Sequence, residues 1–367
     1  MKTFNRLLLC FIVCMLIFVT ACNGGGNPVE ESPSNGLPFD EPLEQAFNYC
    51  PSIIEEADGT RYVYYCAMKE SGIVRDHVYC RKGTRNSKGG YTWSEKTLVL
   101  APSEDGYDSL HCCDPTVIKG EFSYKGQTYK YLMAYTGNTS NINNKVGIAL
   151  SNDYMSGWIS TGEPLITYSG DSSHWGVGQP ALVSVDKKGV VLLFYAYGGN
   201  ETCTYVEKWD FSNVENPVKL TSSRLTDRGV NGLTGAKDSL NNIDVAYDAN
   251  TKRYYIVRDT HPYPDDGDPT FVASHFSVMY LSEKNDVGDL FESVMSQSGK
   301  SWCNLATIGP AETGFPRNSN CGIVTDEYGW MRSSDNIEIM YSISQIAPYG
   351  QYMWTYRIYS KVSDIKE

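Results

Sequence analysis

Residues 114–137 read DPTVIKGEFSYKGQTYKYLMAYTG, and this stretch decides the fold. A short strand, a turn and a Tyr-rich strand follow one another, in residue types that suit a pleated, half-buried surface. The same order restarts at Cys50 (CPSIIEEADGTRYVYYCAM), Gln179 (QPALVSVDKKGVVLLFYAYG), Asn242 (NIDVAYDANTKRYYIVRD) and Asn320 (NCGIVTDEYGWMRSSDNIEIMYSIS). Successive restarts lie 64, 65, 63 and 78 residues apart. Each unit also has a third strand, at HVYCRKG, KVGIALSNDYMSGW, TYVEKWDFS, FSVMYLSEK and MWTYRIYSK. Outer strands are predicted at TLVLAP, EPLITYSG, PVKLTSS and WCNLATI.

A four-stranded antiparallel unit cannot bury both of its faces alone, so repeated units must stack on one another. The reading is therefore all-β: a five-bladed β-propeller of four-stranded antiparallel blades over residues 38–367, with the first strand of each blade lining the axis. A pair of β-sandwiches would explain the strand content, but not five restarts at near-constant spacing. The period exceeds that of common propeller repeats, which leaves long loops on a rigid scaffold, where binding sites are built.

Composition narrows the function classes. With 43 acids against 31 bases the net charge is −12, so the chain lacks the concentrated basic face that nucleic acid requires. Lys2 and Arg6 precede an apolar run from Leu7 to Val19, and Val19-Thr20-Ala21-Cys22 places a small residue before a cysteine. Such a segment is a secretory leader, too short for a stable span. It resembles a bacterial lipoprotein signal over residues 1–21, with Cys22 as the lipidated residue and 22–37 as a flexible tether. The expectation is an exported monomer held in the cell envelope through its N-terminal lipid alone; loss of residues 1–21 would move the net charge to −14. Eight cysteines lie beyond Cys22, an even number that permits disulfides without fixing their pairing. No Cys/His spacing marks a metal site and no cofactor is predicted, although an axial cation such as calcium is compatible with the ring.

The residues that open the units carry a family resemblance. Cys50-Pro51-Ser52-Ile53, Asp114-Pro115-Thr116-Val117 and Gln179-Pro180-Ala181-Leu182 resemble the blade-opening motif of glycoside hydrolase family 43 and its five-bladed relatives. Val146 to Trp158 (VGIALSNDYMSGW) is similar to the third strand and following turn of those enzymes. The resemblance covers roughly residues 38–365. It implies a sugar site at the mouth of an axial funnel, with an Asp opening blade one as general base, an Asp opening blade two as an orienting group, and a Glu near blade three as general acid. Here the blade-two position holds Asp114, the blade-one position holds Cys50, and blade three opens on Gln179 with no Glu beside it. The family mechanism does not transfer intact.

Other acids can rebuild the pair that glycoside hydrolysis needs. Asp244 shares a strand side with Asn242, and Glu312 lies on a Gly/Pro-rich loop before the fifth unit; these two join Asp114 as catalytic candidates. Asp108 and Asp259 are further acids near unit ends, with a solvated loop charge as the alternative for Asp108 and turn-capping or ion-pairing for Asp259. Cys50, His111, Trp175, Gln179, Asn242, His261, Arg317 and Asn320 are the candidate sugar-binding residues, all falling where strands open toward one face. Three functions follow: a hydrolase of poly- or oligosaccharides centred on Asp114, a glycan binder that has lost its acids, and a protein-binding scaffold. A second carboxyl near Asp114 separates the first from the others.

Overall fold

The computed structural model describes residues 47–70, 73–265, 270–289, 300–332, 334–344 and 357–362. The leader, Cys22 and the tether lie outside the described residues. The first repeat forms β1 (Tyr49–Glu55), β2 (Arg61–Met68) and β3 (Asp76–Arg85), with an outer edge divided between β4 (Tyr91–Trp93) and β5 (Thr97–Leu100). Three four-stranded antiparallel sheets follow. They are β6 (His111–Tyr124) to β9 (Ile159–Ser160), β10 (Gly176–Ser184) to β13 (Val218–Arg224), and β14 (Asp244–Asp248) to β17 (Trp302–Ile308). Their inner members are β7 (Gln127–Asn138) and β8 (Lys145–Ser151), β11 (Val190–Gly198) and β12 (Thr202–Asp210), and β15 (Arg253–Thr260) and β16 (His275–Leu281). The last repeat supplies β18 (Arg317–Thr325), β19 (Glu338–Ser344) and β20 (Arg357–Val362).

Burial follows strand order within each sheet. The second strands β2, β7, β11, β15 and β19 are almost wholly buried along their apolar and Tyr-rich runs, because a neighbouring sheet covers each face. Outer strands such as β13 alternate between exposed and half-buried residues. Apolar clusters fill the space between consecutive sheets. Tyr64, Val78 and Leu100 of the first repeat meet Met133 and Tyr135 of the second, while Leu192 and Phe194 of the third meet Tyr254 and Ile256 of the fourth. The circuit also joins its ends. Ile53 and Ile54 of β1 pair in parallel with Val324 and Thr325 of β18, and Met340 of β19 packs with Val63 and Tyr65 of β2. Arg61 fastens the same seam, donating to both oxygens of Glu338 and, at 2.6 Å, to Glu55.

One expectation changes, and the state of the cysteines, left open by the sequence, is fixed. The outer strand predicted at EPLITYSG is replaced by β9, which pairs with β8 through Ile159 and Ser160. Pro164 lacks a ladder donor, and the segment touches β8 only at one bridge, between Ile166 and Val146. The eight cysteines beyond Cys22 are all free thiols.

The turn between β18 and β19 positions the site by covering one end of the axis. Lys119 of β6 donates its backbone N–H to Glu327 O at 2.6 Å, and Ser184 of β10 donates to Tyr328 O at 2.9 Å. Tyr247 of β14 donates to Gly329 O, and Trp330 Nε1 donates to Ser184 O at 2.8 Å. One turn thus ties the far ends of three first strands together, and the functional face is the opposite one.

Candidate functional site

Each repeat opens on the same backbone device. Cys50, Asp114, Gln179, Asn242 and Asn320 have φ values of 56°, 49°, 51°, 48° and 49°, the left-handed region that non-glycine residues seldom adopt. At four of the five the ladder register shifts beside the residue, as between Cys113 and Thr116 and between Gly178 and Ala181. The bulge turns each opening side chain out of the pleat and toward the axis. All five residues line one narrow cavity of about 30 Å³, room for about one water. Backbone bonds from the neighbouring repeat hold the kinks: Asp114 N–H meets Cys66 Sγ at 2.9 Å, Gln179 N–H donates to Thr136 Oγ1 at 2.7 Å, and Asn320 N–H donates to Asp259 at 3.0 Å.

Above this ring lies a cleft of about 580 Å³ that shares Asp114, Gln179, Asn242 and Asn320 with it. Asp76, His111, Asn138, Asn141, Asn144 and Trp175 form its polar and aromatic wall, with Val74 and Phe271 at its rim. Trp175 lies flat because Gly178 and Gly198 carry no side chain: a Cβ there would stand 3.0 Å from Cη2 and 2.9 Å from Cε3 of the indole. Asn144 donates through Nδ2 to Trp175 O at 2.7 Å and accepts from Asn138, so the wall is braced from behind.

Four buried oxygens in this cleft have no hydrogen-bond partner among the described residues: Asp76 Oδ1 and the Oδ1 atoms of Asn138, Asn242 and Asn320. A buried acceptor without a donor costs about 1–3 kcal/mol, and proteins rarely tolerate several in one place. The nitrogens of Asn138 and Asn242 are engaged, on Asn144 and on Asp259 at 2.7 Å, which fixes their oxygens as the free atoms. Four acceptors buried in the cleft wall thus lack donors among the described residues.

Its acids are perturbed by burial. Asp114 is 7% exposed; desolvation raises its pKa, and the Asp76 charge raises it further against hydrogen bonds from Cys50 and Thr136. Asp244 is pushed up to about 7 by burial, opposed only by the Ile323 and Val245 backbone N–H groups. Asp259 is fully buried and pushed up to about 6, although Asn242, Ser319 and Asn320 all donate to it. Asp76 holds His111 by an Oδ2–Nδ1 contact of 2.7 Å, while His111 Nε2 lies 3.1 Å from Asn141 Oδ1. Burial disfavours the imidazolium, but the Asp76 partner outweighs it and the pKa of His111 is raised. In a neutral ring the same Nδ1 can instead accept the Asp76 backbone N–H at 3.1 Å. The carboxylate contact is the shorter of the two.

The structure brings together Cys50, His111, Asp114, Trp175, Gln179, Asn242 and Asn320, with Asp244 in the narrow cavity beneath. Three candidates lie elsewhere. Glu312 is exposed on the short helix α1 (Pro310–Thr313), where its carboxylate accepts the Gly309 N–H at 2.8 Å. Arg317 is 1% exposed at the start of β18, packed within the fold. His261 binds Asp238 through Nδ1 at 2.8 Å and stacks on Tyr263, outside the lining of the cleft. Asp108 is likewise structural, accepting from Tyr135 at 2.8 Å and from Ser103. Sequence reasoning missed Asp76, whose signal was topological. In an up-and-down sheet the third strand starts at the same end as the first, and Asp76 starts β3.

No family model matches the chain, and no curated protein matches it. Its fold is similar to solved glycoside hydrolases. A thermostable family-43 glycoside hydrolase aligns over 86% of this chain and 88% of its own, at 13% identity and a TM-score of 0.50. A family 117 glycoside hydrolase from the marine bacterium Zobellia galactanivorans aligns over 92% of both chains, at 11% identity and a TM-score of 0.56. An α-L-arabinofuranosidase from Podospora anserina, solved with cellotriose, aligns over 90% and 94%, at 13% identity and a TM-score of 0.51. The resemblance to family 43 drawn from the strand-opening motifs thus extends to the fold over 86% of the chain.

Proposed function

We propose that this chain is a five-bladed propeller that binds a poly- or oligosaccharide in the cleft over its axis and hydrolyses a glycosidic bond there. The observation that carries the reading is the set of four unpartnered acceptor oxygens beside Asp114. Sugar hydroxyls are donors, and a glycan laid against Trp175 satisfies acceptors that water-poor protein leaves open. Asp114, its pKa raised by burial, serves as the acid on the leaving oxygen. Asp76 serves as the base, with Oδ1 free to take a proton from water and Oδ2 held in place by His111. Asp244 faces a space too small for a sugar and acts on the ring from behind. The chain is exported and held as a monomer in the cell envelope by lipid on Cys22.

The test is release of reducing ends from a panel of plant and microbial polysaccharide fragments. Asp114→Asn should fold and lose on the order of 10²-fold or more in turnover. Unchanged turnover in that variant would overturn the assignment. A second reading rests on Cys50 and Gln179, which put no carboxylate at two opening positions. It is a glycan binder without catalysis, and tight binding of fragments that are never cleaved would establish it.

A further inference from the structure

The cleft has a charge character that the hydrolase reading does not require. None of its described lining residues is Lys or Arg. Its one basic group, His111, has both ring nitrogens occupied, by Asp76 and by Asn141. Its buried polar atoms without a partner among the described residues, on Asp76, Asn138, Asn242 and Asn320, are all acceptors. A hydroxyl can turn its proton toward such an atom; a carboxylate or sulfate oxygen cannot. An anionic sugar placed here would set acceptor against acceptor beside the Asp76 and Asp114 carboxyls, with no guanidinium or ammonium to receive it.

We infer that the site selects uncharged glycans and rejects those bearing a carboxylate or sulfate on the sugar over the axis. This rests on the glycan reading above and adds the substrate class to it. The discrimination is local, and Val74, 43% exposed among the residues lining the cleft, is a position at which to introduce a cation.

The experiment measures binding of the full mature chain to a panel of neutral oligosaccharides, cello- and xylo-oligosaccharides among them. Each hexose-based member is paired with its counterpart oxidised from CH2OH to carboxylate at C6. Neutral members should bind roughly tenfold or more tighter than their carboxylated partners, an interval that narrows at high salt as screening sets in. Val74→Lys should narrow the same interval at low salt by strengthening the carboxylated partner. A carboxylated member binding as tightly as its neutral pair would overturn the selectivity while leaving the glycan reading intact. An unchanged interval in Val74→Lys would overturn its local electrostatic origin. Failure of every member of both series to bind would overturn the glycan reading, and the inference with it.

Discussion

Asp244→Asn should make the protein more stable in mild alkali and leave it nearly unchanged in acid. The Asp244 side chain keeps some open surface, but that surface faces a cavity with room for about one water rather than bulk solvent, so desolvation dominates and the pKa rises to about 7 from an ordinary 3.8. The unfolded chain then gives up the proton more readily than the folded one. Stability from this group is present below about pH 4 and is lost as pH rises through about 7. About three pH units at about 1.4 kcal/mol each set an upper bound near 4 kcal/mol, and partial relaxation around the ion makes about 2–4 kcal/mol the reasonable range. An asparagine carries no charge, and its Oδ1 can still accept the Ile323 N–H that now lies 2.8 Å from the carboxylate. Urea unfolding of wild type and variant at pH 5 and pH 8 reads the difference directly. The variant should gain fully at pH 8, gain less than half as much at pH 5, and converge on wild type only below about pH 4. Equal destabilisation at both values would refute the reasoning, because it would mean that Asp244 matters through its hydrogen bond and not its charge.

Two further outcomes follow from the same site. Asp76→Asn removes the main partner that raises the pKa of His111, leaving only Asn141 and Asp114 to oppose burial, so the imidazole should titrate at lower pH, read by NMR of the ring; an unmoved midpoint would show that Asp76 does not set it. Asp259→Ala leaves Asn242 Nδ2, Ser319 Oγ and the Asn320 N–H without their acceptor and should cost about 2–4 kcal/mol in urea unfolding at pH 7, with a loss below about 1 kcal/mol counting against its role in bracing the ring.

The ring was legible because it repeats. Cys50, Asp114, Gln179, Asn242 and Asn320 each precede an apolar strand, and five restarts constrain one another in a way no single motif can. The loops offered no such redundancy. His261 is drawn away by Asp238, which also holds Arg258 at 2.6 Å, and nothing in the sequence links those residues. Glu312 opens toward solvent because Gly309 needs its carboxylate as a helix-starting acceptor. Arg317 stands three residues before Asn320, and odd spacing in a strand points to the opposite face; the bulge between Ser319 and Gly322 further decouples the two. Asp76 was overlooked because it occurs once, on a third strand, where no repeat drew attention to it.

The strain at the strand openings argues for function over architecture. Glycine would adopt φ near +50° at little cost, whereas other residues pay about 1 kcal/mol or more for it. At all five openings the chain nonetheless carries a side chain, and at all five that side chain reaches the axial cavity. A structure selected for stability alone would relieve five strained positions with five glycines. Two of these positions, Asn242 and Asn320, add an unpartnered oxygen to the strain, and a third, Asp114, adds a buried carboxyl with a raised pKa. Three independent costs therefore fall on one ring of residues, while the opposite end of the axis, tied down by the turn around Tyr328 and Trp330, has its backbone bonds satisfied. The asymmetry has a physical reason if only the open end meets a ligand, whose hydroxyls supply the donors that the ring lacks.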